Sequence, residues 1–143
     1  MNLYGNFKFN IILPSKWLYE EVSKSFLMNN SKDLIYNGID LEVFHPQYSN
    51  LKEKYDLLNK YVILGVSYKW NKRKGIDVFL EISKKISSKY VILLVGDIDN
   101  KYYKFPNNII WIKQLSDQVK LAELYTIAEV FLEPYKRRGI RLS

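Results

Sequence analysis

The stretch YVILGVSYKWNKRKGIDVFLEISKKISSKYVILLVGD, residues 61–97, decides the fold. Its two apolar runs, YVILGV (61–66) and YVILLVGD (90–97), have no polar alternation, the pattern of strands buried on both faces of a parallel sheet. Between them Ile76, Phe79, Leu80 and Ile86 keep helical spacing, and Glu81, Lys84 and Lys85 supply the wet face. Strand, helix and strand in this order make a β-α-β unit with a right-handed crossover.

The pattern continues downstream. NIIWI (108–112) reads as a third strand, residues 117–128 as a helix with Val119, Leu121, Leu124, Tyr125 and Ala128 facing inward, and VFLE (130–133) as a last short strand. The class expected is α/β, a Rossmann-like open parallel sheet. Upstream, FKFNIIL (7–13) reads as a strand and PSKWLYEEVSKSF (14–26) as a helix with Ser15 in the capping position. DLIYNG (33–38) reads as a short strand ending in an Asn-Gly turn, and the polar text broken by Pro46 as a linker over 38–60. Trp17 and Trp111 fall in apolar stripes and read as core, Trp70 as a cation–π cover for the basic loop, and His45 as a surface or hinge residue.

Composition narrows the chemistry. Hydrophobic residues make up 48% of the 143 and aromatics 15%, enough for a packed core. There is no cysteine and one histidine, so disulfides, thiolate metal sites and cysteine nucleophiles are excluded and zinc or serine–histidine chemistry is poorly supplied. The longest apolar run, VILLV, is far short of the ~20 residues of a membrane-spanning helix, and MNLYGNFKFN lacks the layout of a signal peptide. A soluble, cytoplasmic chain is expected. The formal charge of +7 is unevenly placed, because residues 136–143 (KRRGIRLS) hold four of the 22 basic residues and none of the 15 acids. Three of the chain's four arginines, Arg137, Arg138 and Arg141, fall in that tail.

In an open α/β sheet, ligands bind beyond the carboxyl ends of the strands. Three loops leave those ends: 67–75, 96–105 and 113–116. The first carries Lys69, Lys72, Arg73 and Lys74 just before a helix whose first turn, near Gly75–Phe79, offers amide donors and the positive dipole end, a setting for phosphate. By itself, a basic turn before a helix is ordinarily a solvated loop. Neither GxGxxG nor GxxxxGK[ST] follows a strand, which argues against NAD enzymes and P-loop ATPases. Gly96 either admits a ligand or a neighbouring backbone, or simply ends its strand. Asp97 and Asp99 supply two carboxylates, ordinarily just solvated in a polar loop.

Five segments occur in the order PSKWL, IYNGID with VFHP, ILGVSYKWNKRKGIDVFLEI, VILLVGD and LAELYTIAEVFLEPY. Together they span residues 14–135 and resemble the family-4 (group 1) glycosyltransferases. The resemblance implies the GT-B architecture, two Rossmann-like domains across a cleft, and retaining transfer of a hexose from a UDP-, GDP- or ADP-linked donor to an acceptor. It implies no cofactor, no metal and no nucleic-acid partner, and leaves open peripheral membrane contact by a longer enzyme. Residues 1–37 correspond to the end of the acceptor-side domain, 38–60 to the crossover, 61–135 to part of the nucleotide-sugar-binding domain, and 136–143 to a basic tail of the kind a shifted reading frame leaves.

By resemblance, Lys74, immediately before the glycine, and Arg73 bind the donor diphosphate. Gly96 and Asp97 line the donor cleft, and Lys113, Gln114 and Leu115 touch the base. Cations and a helix end around a diphosphate leaving group stabilise the charge that develops on it, so no side-chain nucleophile is required. The family's pair of glutamates beyond VFLEPY has no counterpart here, and a truncated, inactive donor-domain fragment is expected. The alternatives are a non-enzymatic α/β binding module acting with a partner chain and, more remotely, a nucleic-acid binder using KWNKRKG and YKRRGIR.

Overall fold

A side chain that can cap, with a short strand on either side of the helix it starts, makes the first structural unit. In the computed structural model, which describes residues 8–98, 104–113 and 115–134, strand β1 (Asn10–Leu13), helix α1 (Lys16–Ser23) and strand β2 (Ser31–Leu34) follow one another. Ser15 is the N-cap of α1 as expected, its hydroxyl accepting from Leu18 N at 3.2 Å. β1 and β2 pair in parallel, Asn10 opposite Ser31 and Leu13 opposite Leu34. The second strand therefore starts two residues before the expected 33–38, because Asn30 Oδ1 accepts from Phe9 N at 2.7 Å and sets the register from outside the apolar residues. Trp17 is 57% exposed, so the core role expected of it is corrected: α1 buries no residue fully within this unit.

The chain forms two compact units, Met1–Asp40 and Leu41–Ser143. The second contains helix α2 (Leu51–Lys54), strand β3 (Tyr61–Trp70), helix α3 (Ile76–Ser83), strands β4 (Tyr90–Ile98) and β5 (Ile109–Ile112), helix α4 (Gln118–Ile127) and strand β6 (Val130–Phe131). β3 to β6 make one sheet in the order β5-β4-β3-β6, with every pairing parallel. No helix among the described residues is long and apolar enough to cross a membrane.

The absence of polar alternation in β3 and β4 follows from this burial. Side chains alternate across a strand. Val62, Leu64, Val91, Leu93 and Val95 join Leu51, Leu57, Leu124 and Ile127 on one face. Ile92 and Leu94 join Trp70, Ile76, Phe79 and Ile109 on the other. Polar residues have no face left to occupy. Gly65 lets α3 come close, since a Cβ there would lie 2.5 Å from the Phe79 ring. Within the 38–60 stretch read as a crossover, Leu51 and Leu57 are buried at 8% and 2% exposure, so this polar segment contributes two side chains to the core.

Helix α4 begins where Asp117 caps it, accepting from Val119 N at 3.0 Å and Lys120 N at 3.2 Å. The hydrogen bond from Lys120 N is the main cause holding the Asp117 carboxyl below its ordinary range. The inward face differs from the one expected. Ala122, Leu124 and Ile127 are buried, whereas Val119 and Tyr125 are 50% and 38% exposed. The helix is apolar on more than one side, so periodicity does not single out the buried stripe.

Strand β6 is held to β3 by only two residue pairs, Ile63–Val130 and Leu64–Phe131. Glu129 extends that ladder with its side chain. Its N–H donates to Val62 O at 3.0 Å, one carboxylate oxygen accepts from Val62 N, and the other accepts from the Lys52 ammonium. Burial pushes the Glu129 carboxyl up, but the Lys52 hydrogen bond, the Val62 amide and the Lys52 charge together outweigh it and leave it below the ordinary 4.5. A depressed native pKa stabilises the fold at pH values above the unfolded pKa, and that stabilisation is lost as pH falls through the native pKa. Glu129→Gln is expected to lower stability by about 1 kcal/mol at neutral pH and to flatten its decline between about pH 5 and pH 3. Urea denaturation across that range checks this, and parallel curves for the two proteins contradict it.

Candidate functional site

A parallel sheet delivers all its carboxyl ends to one edge, and the strand order locates the crevice within it. From β3 the chain moves outward through β4 to β5 and then returns to the other side of β3 as β6. The direction of winding reverses between β3 and β6, the position at which open α/β sheets bind ligands. Two segments leave the sheet there, 71–75 after β3 and 132–134 after β6. They touch: a Cβ on Gly75 would lie 2.3 Å from Pro134 O and 2.7 Å from its ring.

The loop expected over 67–75 is shorter than its polarity implies. β3 continues to Trp70, with a register irregularity between Val66 and Lys69, and Lys69 and Trp70 pair with Asp97 and Ile98. Trp70 is the reason. It is 1% exposed, its indole N–H donates to Val95 O at 2.9 Å, and its ring stands edge-on to Phe79 at 5.3 Å. The cation–π cover expected of Trp70 is therefore corrected, since this ring belongs to the core. Trp111, expected in the core, is 44% exposed and donates its indole N–H to Gly96 O at 2.7 Å.

What remains is the five-residue turn NKRKG. Asn71 closes it from within: its side-chain oxygen accepts from Lys74 N at 3.0 Å and its carbonyl from Ile76 N at 3.3 Å. Gly75 is left-handed at φ 78°, where glycine is strongly favoured, and its N–H donates to Lys72 O at 3.3 Å. Lys72 and Arg73 are exposed and Lys74 is half-buried, so three cationic side chains leave one short turn. The open amide donors expected at the start of α3 are largely absent. Val78 N and Phe79 N both donate to Gly75 O, at 3.0 and 3.4 Å, and Ile76 N is already bonded to Asn71. The turn therefore offers an anion cations and a helix dipole more than free N–H groups.

The other sequence-derived residues fall along the same edge. Asp97 is half-buried in β4 opposite Lys69. Gly96, at φ 127°, faces a neighbouring backbone, because a Cβ there would lie 1.7 Å from Ser67 O. Lys113 is exposed beyond β5, whereas Leu115 is half-buried and packs against the core. Gln114, Asp99 and the tail 136–143 lie outside the described residues. Among the described residues no group of three histidine, cysteine or acidic side chains is placed to hold a metal.

Asn71 and Pro134 were missed as site residues. An asparagine four residues before a glycine is a turn signal that could have flagged the first. The second depends on a contact across strand order that no local pattern carries.

No family model matches the chain. It is 26% identical over 149 aligned positions to the glycogen synthase of Clostridium kluyveri, covering 81% of this chain and 31% of that protein. HepE of Anabaena in complex with UDP is similar at a TM-score of 0.72 and 16% identity, over 95% of this chain and 41% of that one. HepE in complex with UDP-glucose gives 0.69 at 16% identity, over 94% and 40%. Sucrose-phosphate synthase of Thermosynechococcus elongatus gives 0.69 at 19% identity, over 87% and 34%. The α/β class with parallel sheets is thereby shown, in the form found in GT-B glycosyltransferases. The chain spans about a third of the length of the curated relative it matches.

The close contacts at Gly96 make a direct test of the edge. Gly96→Ala is expected to cost more than about 2 kcal/mol, since both its φ and the Ser67 carbonyl oppose a Cβ. Gly38→Ala, with nothing within 4 Å, should change stability by less than about 0.5 kcal/mol. Urea midpoints compare the two.

Proposed function

We propose that this chain forms the nucleotide-sugar side of a retaining hexosyltransferase of family 4, with the turn NKRKG receiving the donor diphosphate. The observation that carries the reading is the position of this turn: three cations at the reversal of strand order between β3 and β6. In this reading Lys74 is the main diphosphate ligand and Arg73 the second. Gly96 and Asp97 border the cleft on the β4 side, and Lys113, Gln114 and Leu115 lie toward the base. The binding of UDP and UDP-glucose by HepE supports a uridine nucleotide as the first donor to try.

The chemistry asked of these residues is electrostatic. As the bond from the sugar to the diphosphate breaks, negative charge grows on the leaving oxygen, and a preorganised cation beside it lowers the barrier. Asn71 and Gly75 fix the backbone of the turn that carries Lys74 before the ligand arrives, so binding need order only the side chain. Transfer also requires an acceptor and groups that orient it. The proposal for this chain is therefore donor binding, with turnover a property of a longer enzyme.

Titration calorimetry with UDP tests the reading. Lys74→Ala is expected to weaken UDP binding by roughly tenfold to a hundredfold, the worth of a charge-assisted contact. Lys72→Ala should weaken it by less than about threefold. An affinity unchanged by Lys74→Ala would remove the turn from the site, and turnover of UDP-glucose by the 143-residue chain would overturn the restriction to binding.

A further inference from the structure

The opposite edge of the sheet, where the parallel strands begin, carries a second concentration of positive charge. Tyr61 N donates to Lys89 O at 2.8 Å, and Tyr61 and Tyr90 are register partners. Lys60 and Lys89, each one residue before its strand, are therefore neighbours at this edge, and both line a cavity of about 360 Å³. Lys52 and Glu129 line it too. A second cavity of about 570 Å³ shares Lys52 and Glu129 with the first.

The charge in this cavity is unbalanced. Glu129 is committed to Lys52 and to Val62 N. Among the described residues the Lys60 ammonium reaches a neutral acceptor, Ser88 O at 2.7 Å. Lys89 has no acid partner among the described residues. Glu129 is the one acid among the described residues that line this cavity, and its bond to Lys52 leaves half-buried Lys60 and exposed Lys89 without a carboxylate there. The missing component is an anion with several acceptor oxygens, small enough for the cavity and able to bridge two ammonium groups.

We propose that Lys60 and Lys89, with Lys52 at the rim, bind a phosphate group at the amino edge of the sheet, separate from the turn at Lys74. Lys60 is held by Ser88 and Lys52 by Glu129, so two of the three cations are positioned in advance. The ligand class is inorganic phosphate or a small phosphomonoester.

Thermal unfolding of the 143-residue chain in about 20 mM sodium phosphate, against sodium chloride at matched ionic strength, reads this site. Phosphate is expected to raise Tm by about 3–5 °C over chloride. The Lys60→Gln/Lys89→Gln protein should lose that difference and Lys74→Ala should keep it. Lys89→Gln alone removes no hydrogen bond of the fold, and should shrink the shift even if the double variant does not fold. No shift in the unmodified chain, a shift unchanged by Lys89→Gln, or one abolished by Lys74→Ala overturns the proposal. The last result would assign phosphate to the carboxyl-edge turn and leave the donor reading of that turn standing.

Discussion

The position of Trp70 governs the carboxyl edge. Its indole is anchored to Val95 O in β4 and lies edge-on against Phe79 of α3, so one side chain ties two strands and the crossover helix together. Phe79 can lie where it does because Gly65 presents no Cβ beneath it. Strand β3 therefore runs to Trp70, past a register irregularity between Val66 and Lys69, and the chain has only Asn71 to Gly75 in which to reverse into α3. A turn that short projects Lys72, Arg73 and Lys74 together. The concentration of cations is a consequence of where the tryptophan is buried.

The same dependence explains what could be read from the sequence. YVILGV and YVILLVGD were legible because burial on both faces removes polar residues entirely, and few other environments do that. The Ser15 cap was legible because capping is decided by side-chain chemistry within three residues. The tryptophans were not. Trp17 and Trp111 sit among apolar neighbours yet are exposed, whereas Trp70 sits among lysines yet is the largest fully buried side chain. Local composition describes the neighbours along the chain, while burial is fixed by register with β4 and by the approach of α3. Helix α4 failed for a related reason, since Val119 and Tyr125 compete with Ala122 and Ile127 for the inward face and only packing chooses between them.

The candidate site was legible in its cations and not in its geometry. Lys69, Lys72, Arg73 and Lys74 could be picked as a group from their place between a buried strand and a helix, whereas singling out Lys74 and Arg73 rested on the family resemblance. That the turn closes on itself through the Asn71 side chain, and spends the first amides of α3 on its own carbonyls, required coordinates. The first amides of α3 are thus bonded within the turn, which leaves its three cations and the helix dipole as its positive features, beside the segment after β6 that rests on Gly75.

The basic residues of the sheet unit are not spread evenly over it. Two groups of them lie near the ends of β3, Lys72, Arg73 and Lys74 beyond Trp70 and Lys52, Lys60 and Lys89 near Tyr61. Ten residues of strand place those ends roughly 30 Å apart. The screening length at physiological salt is about 8 Å, so neither cluster feels the other. Between them residues 62–66 of the strand are apolar and pack against the two core clusters. The net charge of +7 is therefore divided, part of it between two separate basic clusters of the sheet unit and part among the four basic residues of 136–143.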